Sequence, residues 1–203
     1  MEPRGGPPEY FLEIFADSNS VKDVLKGVLN LIFFHRYFPS IRPGSVDILD
    51  LTLPTVNDVE LETLIDSRVN ALVRQHLSTS SNSYSAGNGV RGRIAVEFFE
   101  KKRRKSSGLW FGGLAGKGGD EEVCWEIWTL DVTIATPRTE SERAKVRKAM
   151  ENMLQKAALK ILTNVNRDKD HIPPITTSDS NPFPYRIVLN PRTDSWGNRI
   201  SLY

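Results

Sequence analysis

The chain has one cysteine, Cys124, and three histidines, His35, His76 and His171, in 203 residues. A single thiol cannot close an intramolecular disulfide, which fits a reducing compartment. No pair of the histidines has metal-ligand spacing. With so few bases there is little to activate a Ser or Cys nucleophile, and enzymatic activity is not expected. Long apolar runs are also missing: the longest strongly apolar stretch, Leu31 to Phe34, is far too short to span a bilayer. The N-terminal stretch MEPRGGPPEYF lacks the apolar segment of a signal peptide, so cytosol or nucleus is the expected location. Charge of one sign is scarce in excess, with 27 Lys and Arg against 25 Asp and Glu and a net charge of +2. The surface as a whole is therefore no polyanion trap, and any contact with nucleic acid or lipid has to come from a local patch. No period of roughly 20 to 50 residues recurs that would indicate a repeat architecture.

The composition, 39% hydrophobic and 26% charged, is that of an ordinary globular protein, and the length suits one domain over residues 1–203. After a flexible lead (1–8), the stretch 9–15 alternates as a short strand. Val21, Val24, Leu25, Val28, Leu29 and Ile32 recur at helical spacing after Ser20, a candidate cap, until Pro39. A second strand is predicted over 46–53, ended by Pro54. Asn57 or Asp58 opens a second helix with a stripe of Leu61, Leu64, Ile65, Leu72, Val73 and Leu77. The polar stretch 78–89 reads as a mobile loop. Strands follow at 93–102 and 124–134, read as a long protruding hairpin whose glycine-rich tip is a second mobile loop at 104–121. Thr139 and Glu142 make a capping box for the longest helix, to about Asn166. Final strands are predicted at 185–189 and 198–203. Because strands and helices do not alternate as parallel βαβ units require, the predicted class is α+β: an antiparallel sheet with three main helices packed on it.

Two glycine motifs imitate phosphate loops and fail on context. Gly87, Gly89 and Gly92 precede a strand rather than a helix N-terminus, and GGLAGKGG lacks both the first glycine and the magnesium-holding Ser or Thr of a P-loop. Cys124, opening a strand beside Trp125, reads as a structural thiol. Lys101, Lys102, Arg103, Arg104 and Lys105 form the one charge run. It reads either as a contact for nucleic-acid phosphates or an anionic membrane, or as a solvated face paired across the hairpin with Asp120, Glu121 and Glu122. In SSGLWFGGLAGKGG (106–119), Trp110 and Phe111 stand side by side among glycines. Such flanks cannot hold aromatics in a core by themselves, so the pair either folds back onto the body of the domain or is displayed for a partner, for which Trp and Phe are effective anchors.

Several of these stretches resemble the autophagy-related protein 101 family of HORMA-domain proteins. They are VEFFEKKRRK (96–105), the Trp110-Phe111 loop, CWEIWTLDV (124–132) and ATPRTESERAKVRKAM (135–150), and more loosely VLNLIFFHR (28–36) and PYRIVL (184–189). The resemblance implies a non-catalytic adaptor without a cofactor. It would pair with and stabilise the HORMA domain of autophagy-related protein 13, and support the kinase complex that starts autophagosome formation. Trp110 and Phe111 match the family's exposed WF finger, which recruits downstream autophagy factors; animal members carry a Pro between the two aromatics. The implied location is cytoplasmic, with recruitment to the phagophore assembly site. No nucleic acid is expected as partner, and membrane contact at most indirect or weak. An exposed edge strand and the outer face of the helix over 140–165 are candidate surfaces for the second HORMA domain.

Overall fold

The computed structural model describes residues 6–39, 42–80, 90–103, 120–176 and 181–191. In chain order the elements are β1 (Glu9–Asp17), α1 (Val21–Arg36), β2 (Pro43–Ile48), β3 (Leu51–Val56), α2 (Val59–Ser80), β4 (Val90–Arg103), β5 (Asp120–Ala135), α3 (Glu140–Arg167) and β6 (Tyr185–Leu189). A four-stranded sheet runs in the order β1-β5-β4-β6, and β2 with β3 forms a separate two-stranded sheet. The class is α+β with three helices, as the sequence predicts. The sheet is not wholly antiparallel, however: β1 lies parallel to β5, Glu9 opposite Ile127 and Asp17 opposite Ala135. A parallel neighbour needs a long crossover, and here the whole chain from α1 to β4 intervenes, a connection that local patterning does not reveal.

The alternation in β1 buries Tyr10, Leu12, Ile14 and Ala16 against the helices. From the next strands, Ile94, Val96, Phe98, Trp128, Leu130 and Val132 join them, with the apolar stripes of α1, α2 and α3 closing one continuous core. α1 crosses the small sheet closely. A methyl group on Gly27 would meet the ends of the Ile48 and Leu53 side chains, so a larger residue at mid-helix would have to displace them from β2 and β3.

Local details depart from the sequence reading in five places. The predicted strand 46–53 is a hairpin, β2 and β3, turning at Leu49, which takes a left-handed φ of 53°. Pro54 lies inside β3 opposite Ser45, where a two-stranded sheet leaves it an outward edge. Ser20 makes no side-chain cap; the Asp17 carboxylate instead accepts from the backbone N–H groups of Asn19 and Ser20, at 3.0 and 2.7 Å. α2 continues through residues 78–80, and Asp120 and Glu121 belong to β5 rather than to a loop. By contrast, Asp58 caps α2 by accepting from Leu61 N–H at 2.9 Å, and Thr139 with Glu142 forms the complete capping box of α3. The rest of the loops expected at 78–89 and 104–121, and the strand expected at 198–203, lie outside the described residues.

Candidate interaction surfaces

β4 and β5 form an antiparallel ribbon whose register runs from Val90 opposite Ile134 to Arg103 opposite Asp120. One irregularity interrupts it. Phe98 faces Glu126 but Phe99 faces Cys124, leaving Trp125 as the extra residue of a bulge. The bulge turns Trp125 into the core, with ring centroids 5.5 Å from Phe98, 5.2 Å from Phe183 and 5.8 Å from His171. Its indole N–H is buried without a hydrogen-bond partner among the described residues.

Beyond the bulge the ribbon is charged. Lys101 lies opposite Glu122, Lys102 opposite Glu121 and Arg103 opposite Asp120, the cross-strand arrangement of cations and carboxylates that the sequence offered as one of two readings. Lys102 Nζ pairs with Glu100 at 2.6 Å along its own strand, and Arg186 of β6 reaches Glu122 while its guanidinium stacks 4.5 Å from the Phe99 ring centroid. Arg104, Lys105, Trp110 and Phe111 lie outside the described residues.

Below the bulge lies a polar cluster that the sequence reading did not single out. Glu126 is fully buried. Arg36 Nε sits 2.9 Å from both of its carboxylate oxygens, His171 Nε2 lies 2.6 Å from Oε2, and the Trp128 indole N–H donates to Oε1. Arg36 also donates to the Asp168 carbonyl at 3.1 Å, and Asp168 accepts from the Tyr10 hydroxyl at 2.9 Å. The cluster thereby ties the end of α1, the centre of β5, the start of β1 and the segment after α3. Arg167 and the Tyr10 hydroxyl hold the Asp168 carboxyl down to about 2, and burial with the same hydrogen bond pushes the Tyr10 phenol up. The signal for Glu126 was present in Trp-Glu-x-Trp: a carboxylate at the same strand parity as Trp128 must face the core.

The cluster has the residue types of acid-base chemistry, but Glu126 and Arg36 are buried, and the cavities of about 1120 and 430 Å³ among the described residues are lined by none of Glu126, Arg36 and His171. Its role is to fix elements together. Cys124 is equally unsuited to nucleophilic work, since burial pushes its thiol up to about 12. His35 Nε2 is buried without a hydrogen-bond partner among the described residues, and burial with Arg36 alongside lowers its pKa, favouring the neutral ring. Among the described residues no group of His, Cys, Asp and Glu could hold a metal ion, and no helix is long and apolar enough to cross a membrane.

Exposed apolar side chains mark the remaining surfaces. Leu159 and Leu162, 57% and 37% exposed, sit one turn apart on the outer side of α3, and Phe11 is 49% exposed on β1.

Comparison with known proteins agrees with this picture. A family model described as Autophagy-related protein 101 matches residues 13–179. The protein of that name from Schizosaccharomyces pombe is 29% identical, over 88% of this chain and 84% of that protein. Those from Arabidopsis thaliana and Homo sapiens are 25% and 24% identical, over 90% and 94% of this chain and 86% and 91% of theirs.

Proposed function

Since the chain belongs to the autophagy-related protein 101 family, whose members are non-catalytic adaptors in autophagy, we propose that it pairs with the HORMA domain of autophagy-related protein 13 and recruits further autophagy factors through Trp110 and Phe111. The observation that carries the proposal is the family match over 13–179, which takes in both strands of the ribbon and the residues between them. The element order, with three helices on one mixed sheet, supports reading the chain itself as a HORMA domain. In this reading it acts in the cytoplasm as a subunit of the autophagy-initiating kinase complex, recruited to the phagophore assembly site.

The two binding functions fall on different parts of the molecule. A stable heterodimer needs an interface of at least about 1,000 Å². The outer side of α3, with Leu159 and Leu162, offers apolar anchors for it. Trp110 and Phe111 belong to the segment joining β4 and β5, and their loss is expected to leave the heterodimer intact.

Co-expression with the HORMA domain of autophagy-related protein 13, followed by size exclusion, tests the pairing. One co-eluting peak is expected, and two separate peaks at micromolar concentration contradict it. Trp110→Ala with Phe111→Ala is expected to keep that peak while abolishing capture of downstream factors.

A further inference from the structure

Thr136 and Pro137 form the one Ser-Pro or Thr-Pro dipeptide in the 203-residue chain. They lie in the short link between β5, which ends at Ala135, and α3, whose cap is Thr139. Pro137 has no N–H, and its ring keeps the residue before it out of helical backbone. Thr136 is exposed. An exposed hydroxyl followed by proline suits a proline-directed protein kinase, whose cleft would leave the N–H of any other following residue unpaired.

The link borders the smaller cavity, about 430 Å³, which Thr136 and Pro137 line together with Arg143 and Arg147 of α3 and with Asp17 and Ser20 before α1. The two arginines stand four residues apart and so share one face of the helix. Both are held loosely. Arg143 meets Glu140 at 3.6 Å, Arg147 meets Asp50 at 3.8 Å and Glu151 at 3.0 Å, and the arginine side chains are 63% and 62% exposed. Pairs of this kind contribute little and give way to a stronger acceptor. The other carboxylates near the link are engaged by backbone: Asp17 accepts from Asn19 and Ser20 N–H, and Glu142 accepts from Arg138 and Thr139 N–H at 2.8 and 3.2 Å. The capping box thus holds the link through Thr139 and Glu142, and the Thr136 hydroxyl has no part in it.

We infer that Thr136 is a phosphorylation site and that Arg143 and Arg147 receive the phosphate. Thr136 Oγ1 attacks the γ-phosphorus of ATP; the new O–P bond forms as the bond to the β-phosphate oxygen breaks, ADP leaves, and the hydroxyl proton passes to the kinase's carboxylate base. The product carries a charge of about −1.5 to −2 and strong acceptor oxygens. A guanidinium fork matches a phosphate with paired, charge-assisted hydrogen bonds, which the loose contacts to Glu140 and Asp50 do not offer. The modified residue also brings negative charge to the N-terminus of α3, where it is favoured. Phosphorylation thereby clasps the end of β5 to the first two turns of α3.

The test treats the folded full chain with a proline-directed kinase and ATP and maps the phosphate by mass spectrometry. One phosphate on Thr136 is expected, and none at that position in the Thr136→Ala chain. By phosphorus NMR the group should lose its last proton at least about half a pH unit below the same phosphothreonine in a free peptide of the link, where the value is about 6. Arg143→Ala with Arg147→Ala should return the titration to that of the peptide. Arg143→Gln and Arg147→Gln singly, at exposed positions, should each return part of the shift. Phosphorylation should also raise the melting temperature of the unaltered chain by about 2 °C or more and leave that of the doubly substituted chain unchanged. The inference is overturned by no phosphate on Thr136 of the folded chain, by a phosphate that titrates as it does in the peptide, or by a shift that survives loss of both arginines. None of these outcomes depends on pairing with a HORMA partner or on Trp110 and Phe111, so this inference and the proposed function fail separately.

Discussion

The β4–β5 ribbon holds charge in two ways, on either side of the bulge at Trp125. Toward the core, Glu126 is sealed from water and its carboxylate engages Arg36, His171 and Trp128. Toward the far end, Lys101 and Lys102 stand in solvent opposite Glu122 and Glu121. The residue types are alike and the energetics are not. A buried carboxylate stripped of its partner retains the desolvation cost without compensation, whereas exposed pairs are screened and contribute little. One stretch of the ribbon therefore anchors the fold, while the other can change sequence at little cost and is free to serve binding.

Breaking the buried side should have the largest effect. Removing one member, by Arg36→Ala, leaves Glu126 in the core without its guanidinium partner, held only by His171 and Trp128, and is expected to cost about 3–5 kcal/mol in urea unfolding. A loss below about 1 kcal/mol would mean that the cluster is not a clamp. Tyr10→Phe, which removes only the hydroxyl given to Asp168 at the cluster's rim, should cost about 1 kcal/mol by the same measurement.

The buried side should also show a pH dependence that the far end lacks. The folded-state pKa of His35 lies below its ordinary value, 6.5, because burial disfavours the imidazolium. The unfolded chain therefore takes up the proton first; the contribution of His35 is fully present above pH 6.5 and is lost as pH falls through the depressed folded value. Thermal melts from neutral pH into acid should show this loss, and His35→Gln should flatten the curve in that range. At the far end, Lys101→Ala and Lys102→Ala should each change stability by no more than about 0.5 kcal/mol, and raised salt should matter little to either variant.

Much of this division was legible in the sequence. Alternation located β1, β4, β5 and β6, helical spacing located all three helices, and Thr139 with Glu142 identified the cap of α3, since each of these signals is carried by neighbours in sequence. The parallel pairing of β1 with β5 was not legible, because Tyr10 meets Trp128 across most of the chain. Nor was the cluster around Glu126: Arg36 and His171 reach it from 90 and 45 residues away, so no spacing pattern connects them. The turn at Leu49 was hidden for another reason. A leucine with positive φ gives no glycine or asparagine signal, and the hairpin of β2 and β3 reads as one strand. The arginine-lined cavity beside Thr136 likewise depends on α3 packing near the start of α1, and Thr136 with Pro137 alone gave no hint of it.

The account rests on Trp110 and Phe111 serving a partner rather than the fold, and the melting temperature of the chain carrying both alanine substitutions tests that most directly. A shift within about 2 °C is predicted, less than about 1 kcal/mol produces in a chain of this size. A fall of more than about 8 °C, the equivalent of several kcal/mol of lost core packing, would place the two rings inside the protein and contradict the binding role assigned to them.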